Sequence, residues 1–196
     1  QNAPRGNLSD VWKNADLVRL NFGVFALHTV QMAMWMAVPA LLVQAGLGKD
    51  LHWQVYLPAV VVSFLFLGGL FAMERRGLLR GTLLVSIALV LGVQLGLAWV
   101  SWNGQPPGLW TLGLLLLVFF CGFNALEASQ PSLVSRMAPA SLRGAALGSY
   151  NMLQSLGLFA GGALGGALVQ WAGKPTLFAA TAALTALWLL LTWPLK

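Results

Sequence analysis

The sequence predicts an all-α membrane protein: a bundle of six transmembrane helices with both termini cytoplasmic. Composition gives the first reason. The 196 residues are 58% hydrophobic and 8% charged, with mean hydropathy +0.77, whereas soluble domains carry about 25% charged residues. So few charges cannot clothe a surface facing water, and lipid is the implied solvent. The second reason is that the apolar residues gather into six runs near the roughly 20 residues a helix needs to cross the hydrocarbon core. The third is that the basic residues lie in the short gaps between runs, on alternate sides.

Residues 1–16 form a cytoplasmic linker segment and residues 17–196 the six-helix domain. The chain starts with Gln and no signal peptide precedes the first run, so a longer parent chain is expected. The first span, Leu17 to Val43, stops at QAGLGKDLHW, where glycine and charge interrupt it. The second, Val55 to Met73, ends in the charged ERRGLLRG. The third, Leu78 to Val100, meets SWNGQPPG, whose proline pair cannot continue a helix. The fourth, Leu109 to Ala128, is expected to end at SQPSLVSRMAPAS. There the Ser141 hydroxyl is placed to cap the fifth span, Leu142 to Trp171. AGKP separates the fifth from the sixth, Thr176 to Trp193, with Pro175 at a helix start.

Six spans return both termini to one side. That side carries Arg5, Lys13, Arg19, Arg75, Arg76, Arg80, Arg136, Arg143 and Lys196; the other has Lys49 and Lys174. Nine cations against two makes the richer side cytoplasmic by the positive-inside rule. Trp53, Tyr56, Trp99, Trp102, Trp110 and Trp171 collect at the opposite ends, as an interfacial aromatic belt does.

Polar residues at membrane depth are the candidate site. With a rise of about 1.5 Å per residue, His28 and Gln31 sit about 12–17 Å into the first span, and Asn151 and Gln154 reach a similar depth on the fifth. Asn124 and Glu127 lie in the cytoplasmic half of the fourth. Each pair is spaced i, i+3 and shares a helix face. Asn21, His28, Gln31 and Trp35 draw one stripe on the first span. Buried polar groups of this kind face a bundle interior or a wet cavity and mark a pathway. Simpler roles stay open: His28 as an interhelical hydrogen-bonding group, Asn151 and Gln154 as glue between helices, and Glu127 in an ion pair with Arg143 or Arg136. The second, third and sixth spans offer little comparable, Gln94 apart. On the fifth span Gly157, Gly161 and Gly165 recur every four residues, with Gly162 and Gly166 beside them, which lets helices approach closely.

Other classes fit poorly. A net charge of +6 raises nucleic acid as a partner, but the cations sit in interhelical gaps. The lone Cys121 gives no disulfide framework and no paired thiol for zinc, and neither metal nor cofactor is expected. A six-helix intramembrane serine protease needs a Ser–His pair within hydrogen-bond reach, and no such serine stands opposite a His on the sixth span. Paired NPA loops of an aquaporin-type channel are absent.

NALEASQPSLVSRMAP followed by RGAALGSYNMLQSLG, and LPAVVVSFLFLGGLFAMERRGLLRG before them, carry a resemblance. The layout resembles the C-terminal half, helices seven to twelve, of a major facilitator superfamily transporter. It is most similar to the bacterial drug:proton antiporter branch and its YajR-like members. Gly157, Gly161, Gly162, Gly165 and Gly166 mirror that branch's GxxxGPxxGG pattern, with Gly162 in the proline place. Glu74, Arg75, Arg76 and Gly77 only echo the family's charged cytoplasmic loop motif. The resemblance implies one half of a secondary active transporter in a bacterial inner membrane. It implies proton-coupled efflux of small amphipathic or cationic compounds by alternating access, with the first, second, fourth and fifth spans facing the cavity. Its partners would be a missing N-terminal six-helix half, or a second copy, together with a small-molecule substrate, protons and lipid. The polar stripes read above agree with such a cavity, and the candidate pathway residues are His28, Gln31, Trp35, Asn124, Glu127, Asn151 and Gln154, with the five glycines for packing and gating and Glu74, Arg75, Arg76, Arg136 and Arg143 in the charged loops. A self-contained homodimerising six-helix protein and a non-transporting structural membrane domain are the alternatives.

Overall fold

The computed structural model describes residues 7–195, the side chains of Leu70, Phe71, Glu74 and Arg75 excepted. Arg5 and Lys196, and the side chains of Glu74 and Arg75, therefore lie outside the described residues. Six helices follow: α1 (Leu8–Lys13), α2 (Ala15–Gln44), α3 (Trp53–Arg75), α4 (Leu79–Trp102), α5 (Leu109–Met137) and α6 (Arg143–Thr192). A 3₁₀ turn, Lys49–Leu51, leads into α3. There is no strand among the described residues.

Part of the expected linker is structured. Helix α1 buries Val11 completely against the bundle. Lys13 Nζ and the Asn7 N–H both bond the Asp10 carboxylate, and these contacts hold that carboxyl below its ordinary value. Asn14 then caps α2, its Oδ1 accepting from the N–H groups of Asp16 at 3.0 Å and Leu17 at 3.2 Å.

Two boundaries differ from expectation. Helix α5 does not stop at Ala128 but runs through Pro131 to Met137. Leu133 and Val134 in that extension are buried, and their burial outweighs the hydrogen bond that Pro131 cannot donate. Ser141 does not cap α6: Leu142 occupies the N-cap position with no side-chain bond, and its N–H donates to the Pro139 carbonyl at 2.8 Å. The turn at AGKP is tighter than a loop. The fifth and sixth spans are the two arms of α6, residues 143–172 and 174–192, divided by Gly173 at φ +81°. That backbone state suits glycine alone among common residues. An unbroken helix of 50 residues would be about 75 Å long, far beyond a ~30 Å hydrocarbon core.

The arms alternate in direction. Arg19, Leu20, Thr192 and Leu195 line one small void, so the start of α2 and the end of α6 share one end of the bundle; Leu41, Val100, Pro106 and Lys174 meet at the far end. Helix α2 packs most extensively on α6, α3 on α5, and α4 on both α5 and α6. The core holds Leu27, Val30, Met34, Ile87, Phe119, Leu126, Phe178 and Trp188. Burial is uneven: 56% of the apolar stretch of α2 is buried but only 17% of that of α3. Leu57, Val61, Phe64, Leu65 and Phe66 of α3 are all exposed.

Candidate functional site

Helices α2, α5 and the first arm of α6 bring three of the expected residues to one point. His28 of α2 is 2% exposed. Its Nδ1 lies 2.9 Å from the Val24 carbonyl one turn back. Two acceptors do not approach so closely, so Nδ1 carries the proton and donates. In the neutral ring Nε2 is then a bare acceptor. The Gln154 amide nitrogen meets it at 2.9 Å. Glu127 Oε1 also approaches the same Nε2, at 3.1 Å. Phe123 presents its ring edgewise to the imidazole at 6.0 Å.

This geometry calls for one proton. A bare Nε2 and a carboxylate oxygen at 3.1 Å repel unless a proton sits on one of them. It can rest on Nε2, giving an imidazolium–carboxylate pair, or on Oε1. The distance is that of an ion pair, yet Oε1 lies off the line a hydrogen bond needs and is left buried with no hydrogen-bond partner. The pair is therefore juxtaposed rather than closed, and an unsatisfied buried carboxylate oxygen is costly. Glu127 keeps 33% of its side chain exposed, so the pair is not sealed inside the bundle. Pro131, four residues on, has no N–H for the Glu127 carbonyl.

The remaining expected residues fall elsewhere. Asn124 is turned towards α3: its Nδ2 donates to Ser63 Oγ at 2.8 Å, and Ser63 donates to the Val60 carbonyl at 2.6 Å. The second span thus supplies a polar partner that its pattern did not announce. Asn151 is exposed, and Gln31 is half-buried one turn beyond His28. Trp35 packs edge-to-face on Tyr56 at 5.1 Å and tilts over Phe120 at 6.2 Å. Glu127 lies beside His28, whereas Arg143 donates Nε to the Ser135 carbonyl and ties the α5–α6 corner. Arg76 and Arg136 are exposed.

The glycines divide into two groups. A Cβ at Gly157 would meet the Phe25 carbonyl oxygen at 2.5 Å, at Gly161 the Thr29 carbonyl oxygen at 2.3 Å, and at Gly165 the Ala33 Cα at 2.8 Å. These three let the first arm of α6 lie on the α2 backbone, which sets Gln154 beside His28. Gly162 would only graze Met32 at 3.9 Å, and Gly166 faces open space.

Several polar partners escaped the sequence reading. Tyr150 lies within electrostatic reach of Glu127, and its hydroxyl donates to Gln130 Oε1 at 3.4 Å. Thr181 Oγ1 donates to Gln94 Oε1 at 2.8 Å, and Asn21 Nδ2 to Ser149 Oγ at 2.9 Å. Gln130 and Tyr150 lie in the same FNALEASQ–GSY neighbourhood as Glu127, and the i, i+3 step from Glu127 to Gln130 was the available signal. A cavity of about 440 Å³ lies elsewhere, between α3 and α5 towards the far end; Pro58, Val62, Trp110 and Leu117 are among its lining. None of the polar cluster lines it.

Comparison with known proteins bears on this arrangement. A family model described as Major Facilitator Superfamily matches residues 20–196. The inner membrane transport protein YajR of Escherichia coli (strain K12) is 32% identical over 193 residues, covering 98% of this chain and 41% of YajR. The uncharacterized transporter BU466 of Buchnera aphidicola is 30% identical over 150 residues, 76% of this chain and 37% of that protein. The uncharacterized MFS-type transporter YhhS of Escherichia coli (strain K12) is 34% identical over 87 residues, 44% of this chain and 22% of that protein. The chain thus spans about two fifths of the length of the first two relatives.

Proposed function

We propose, from the premise that the chain belongs to the major facilitator superfamily, that it forms the C-terminal half of a proton-coupled efflux transporter. The chain covers 41% of YajR, which leaves room for a partner half. The pairing of two six-helix units around a midplane site is how such transporters provide alternating access. The sparsely buried α3 supplies a face for that partner, which a second copy would occupy in the homodimeric reading. The end carrying the termini is cytoplasmic in this account, and the membrane is a bacterial inner membrane.

The observation that carries the proposal is the His28 Nε2–Glu127 Oε1 approach, with Nδ1 already committed to Val24. The pair takes up one proton. With the proton bound, the imidazolium and the carboxylate attract, and α2 and α5 are drawn together. Without it, two lone pairs face each other and the helices are pushed apart. Proton binding and helix position are thereby linked, and a small amphipathic cation competing for the Glu127 carboxylate would exchange with the proton. Gln154 follows the change: its amide nitrogen serves a bare Nε2, and its carbonyl serves a protonated one once the amide turns.

The test is efflux of a fluorescent lipophilic cation from proteoliposomes holding the full-length protein, driven by a pH gradient. Glu127→Gln should abolish gradient-driven efflux. His28→Gln should shift the pH dependence. Gradient-driven efflux at the wild-type rate and pH profile in both variants would remove the pair from the mechanism.

A further inference from the structure

At the far end of the bundle, a cavity of about 260 Å³ lies between the end of α2, the α4–α5 connection and the turn of α6. Its polar lining is made of donors: the Lys174 ammonium, the amides of Gln44 and Gln105, and the Ser101 hydroxyl. No carboxylate lines it. Lys174 is half-buried, and it has no acidic partner among the described residues. Ser101 stands in the cavity wall with Oγ buried. A half-buried cation with no acidic partner is suited to an anion. The depth of the cavity narrows the choice. Trp102 adjoins Ser101 in the chain and Trp171 lies one turn before Lys174, and they are 74% and 82% exposed. Exposed tryptophans mark the headgroup level of a bilayer, where the anions at hand are lipid phosphates.

We propose that this cavity binds the phosphate of an anionic phospholipid headgroup, held by Lys174 with Gln44 and Gln105 as hydrogen-bond donors. The inference needs only that the helices span a bilayer, so it stands apart from the transport mechanism. The competing role for Lys174 is to complement the carbonyl ends of α2 and α4 nearby, which a lysine at a helix C-terminus also does.

Native mass spectrometry of the full chain, released from detergent micelles doped with phosphatidylglycerol or phosphatidylcholine, separates the two. The wild type should retain phosphatidylglycerol preferentially. Lys174→Gln should lower that retention roughly five-fold, the effect of one lysine at a membrane surface. Lys174→Arg should keep it, and Lys49→Gln, the other far-end cation, should leave it unchanged. Displacement of the lipid by millimolar inorganic phosphate would keep the phosphate chemistry and assign the ligand to solution; resistance assigns it to the lipid. Equal phosphatidylglycerol retention by wild type and Lys174→Gln overturns the proposal. A lowered melting temperature in that variant with unchanged lipid retention does the same and leaves the helix-end role.

Discussion

At the scale of single residues, the i, i+3 spacing groups polar side chains by face but does not say what each side chain meets. His28, Gln154 and Glu127 converge, while Asn124, one turn from Glu127, is claimed by Ser63. The difference is physical. Residues three apart on a helix diverge by about 60° around the axis, enough for one to reach α2 and the other α3. Ser63 was not legible because one hydroxyl in an apolar run can satisfy itself on the preceding turn, as it also does here. The Asn124–Ser63 clasp joins α5 to α3, apart from the His28–Glu127 contact. A double-mutant cycle of Asn124→Ala and Ser63→Ala should return a coupling near 0.6 kcal/mol, the usual size of such a bond in a membrane protein. Proton-driven transport in Ser63→Ala should stay close to wild type. Loss of transport with Ser63→Ala alone would place the clasp in the mechanism.

At the scale of elements, hydropathy sufficed for the six spans because lipid imposes a length on each. It failed where a helix leaves the hydrocarbon. Nothing forces α5 to end at the interface, and Pro131 does not end it because the buried Leu133 and Val134 hold the last turns in place. The glycine run of α6 was legible as a stripe but not as a choice between its two edges. Only contact with α2 separates Gly157, Gly161 and Gly165 from Gly162 and Gly166. Gly161→Leu, whose Cβ would sit 2.3 Å from the Thr29 carbonyl oxygen, should part α6 from α2 and lower the melting temperature in detergent. Gly166→Leu should leave that temperature within about 2 °C, since a substitution into open space stays within roughly 0.5 kcal/mol. Equal effects would mean that the stripe does not set the α2–α6 contact.

At the scale of the whole molecule, the six helices are buried unequally, and the inequality has a direction. Helices α2 and α5 are well buried, α4 packs behind them on α5 and α6, and α3 stands mostly clear. The polar cluster opens on the side shared by α2, α5 and the first arm of α6, with Asn151 exposed and Glu127 partly so. The central claim is that this opening is wet. Cysteine accessibility tests it most directly. In a Cys121→Ser background of the full-length protein in membranes, a membrane-impermeant thiol reagent should label Asn151→Cys and Gln31→Cys. It should spare Leu89→Cys and Leu187→Cys, which stand on exposed faces of α4 and the second arm of α6. Labelling of the two site positions no faster than the two leucine positions would put the polar face against lipid and contradict the account.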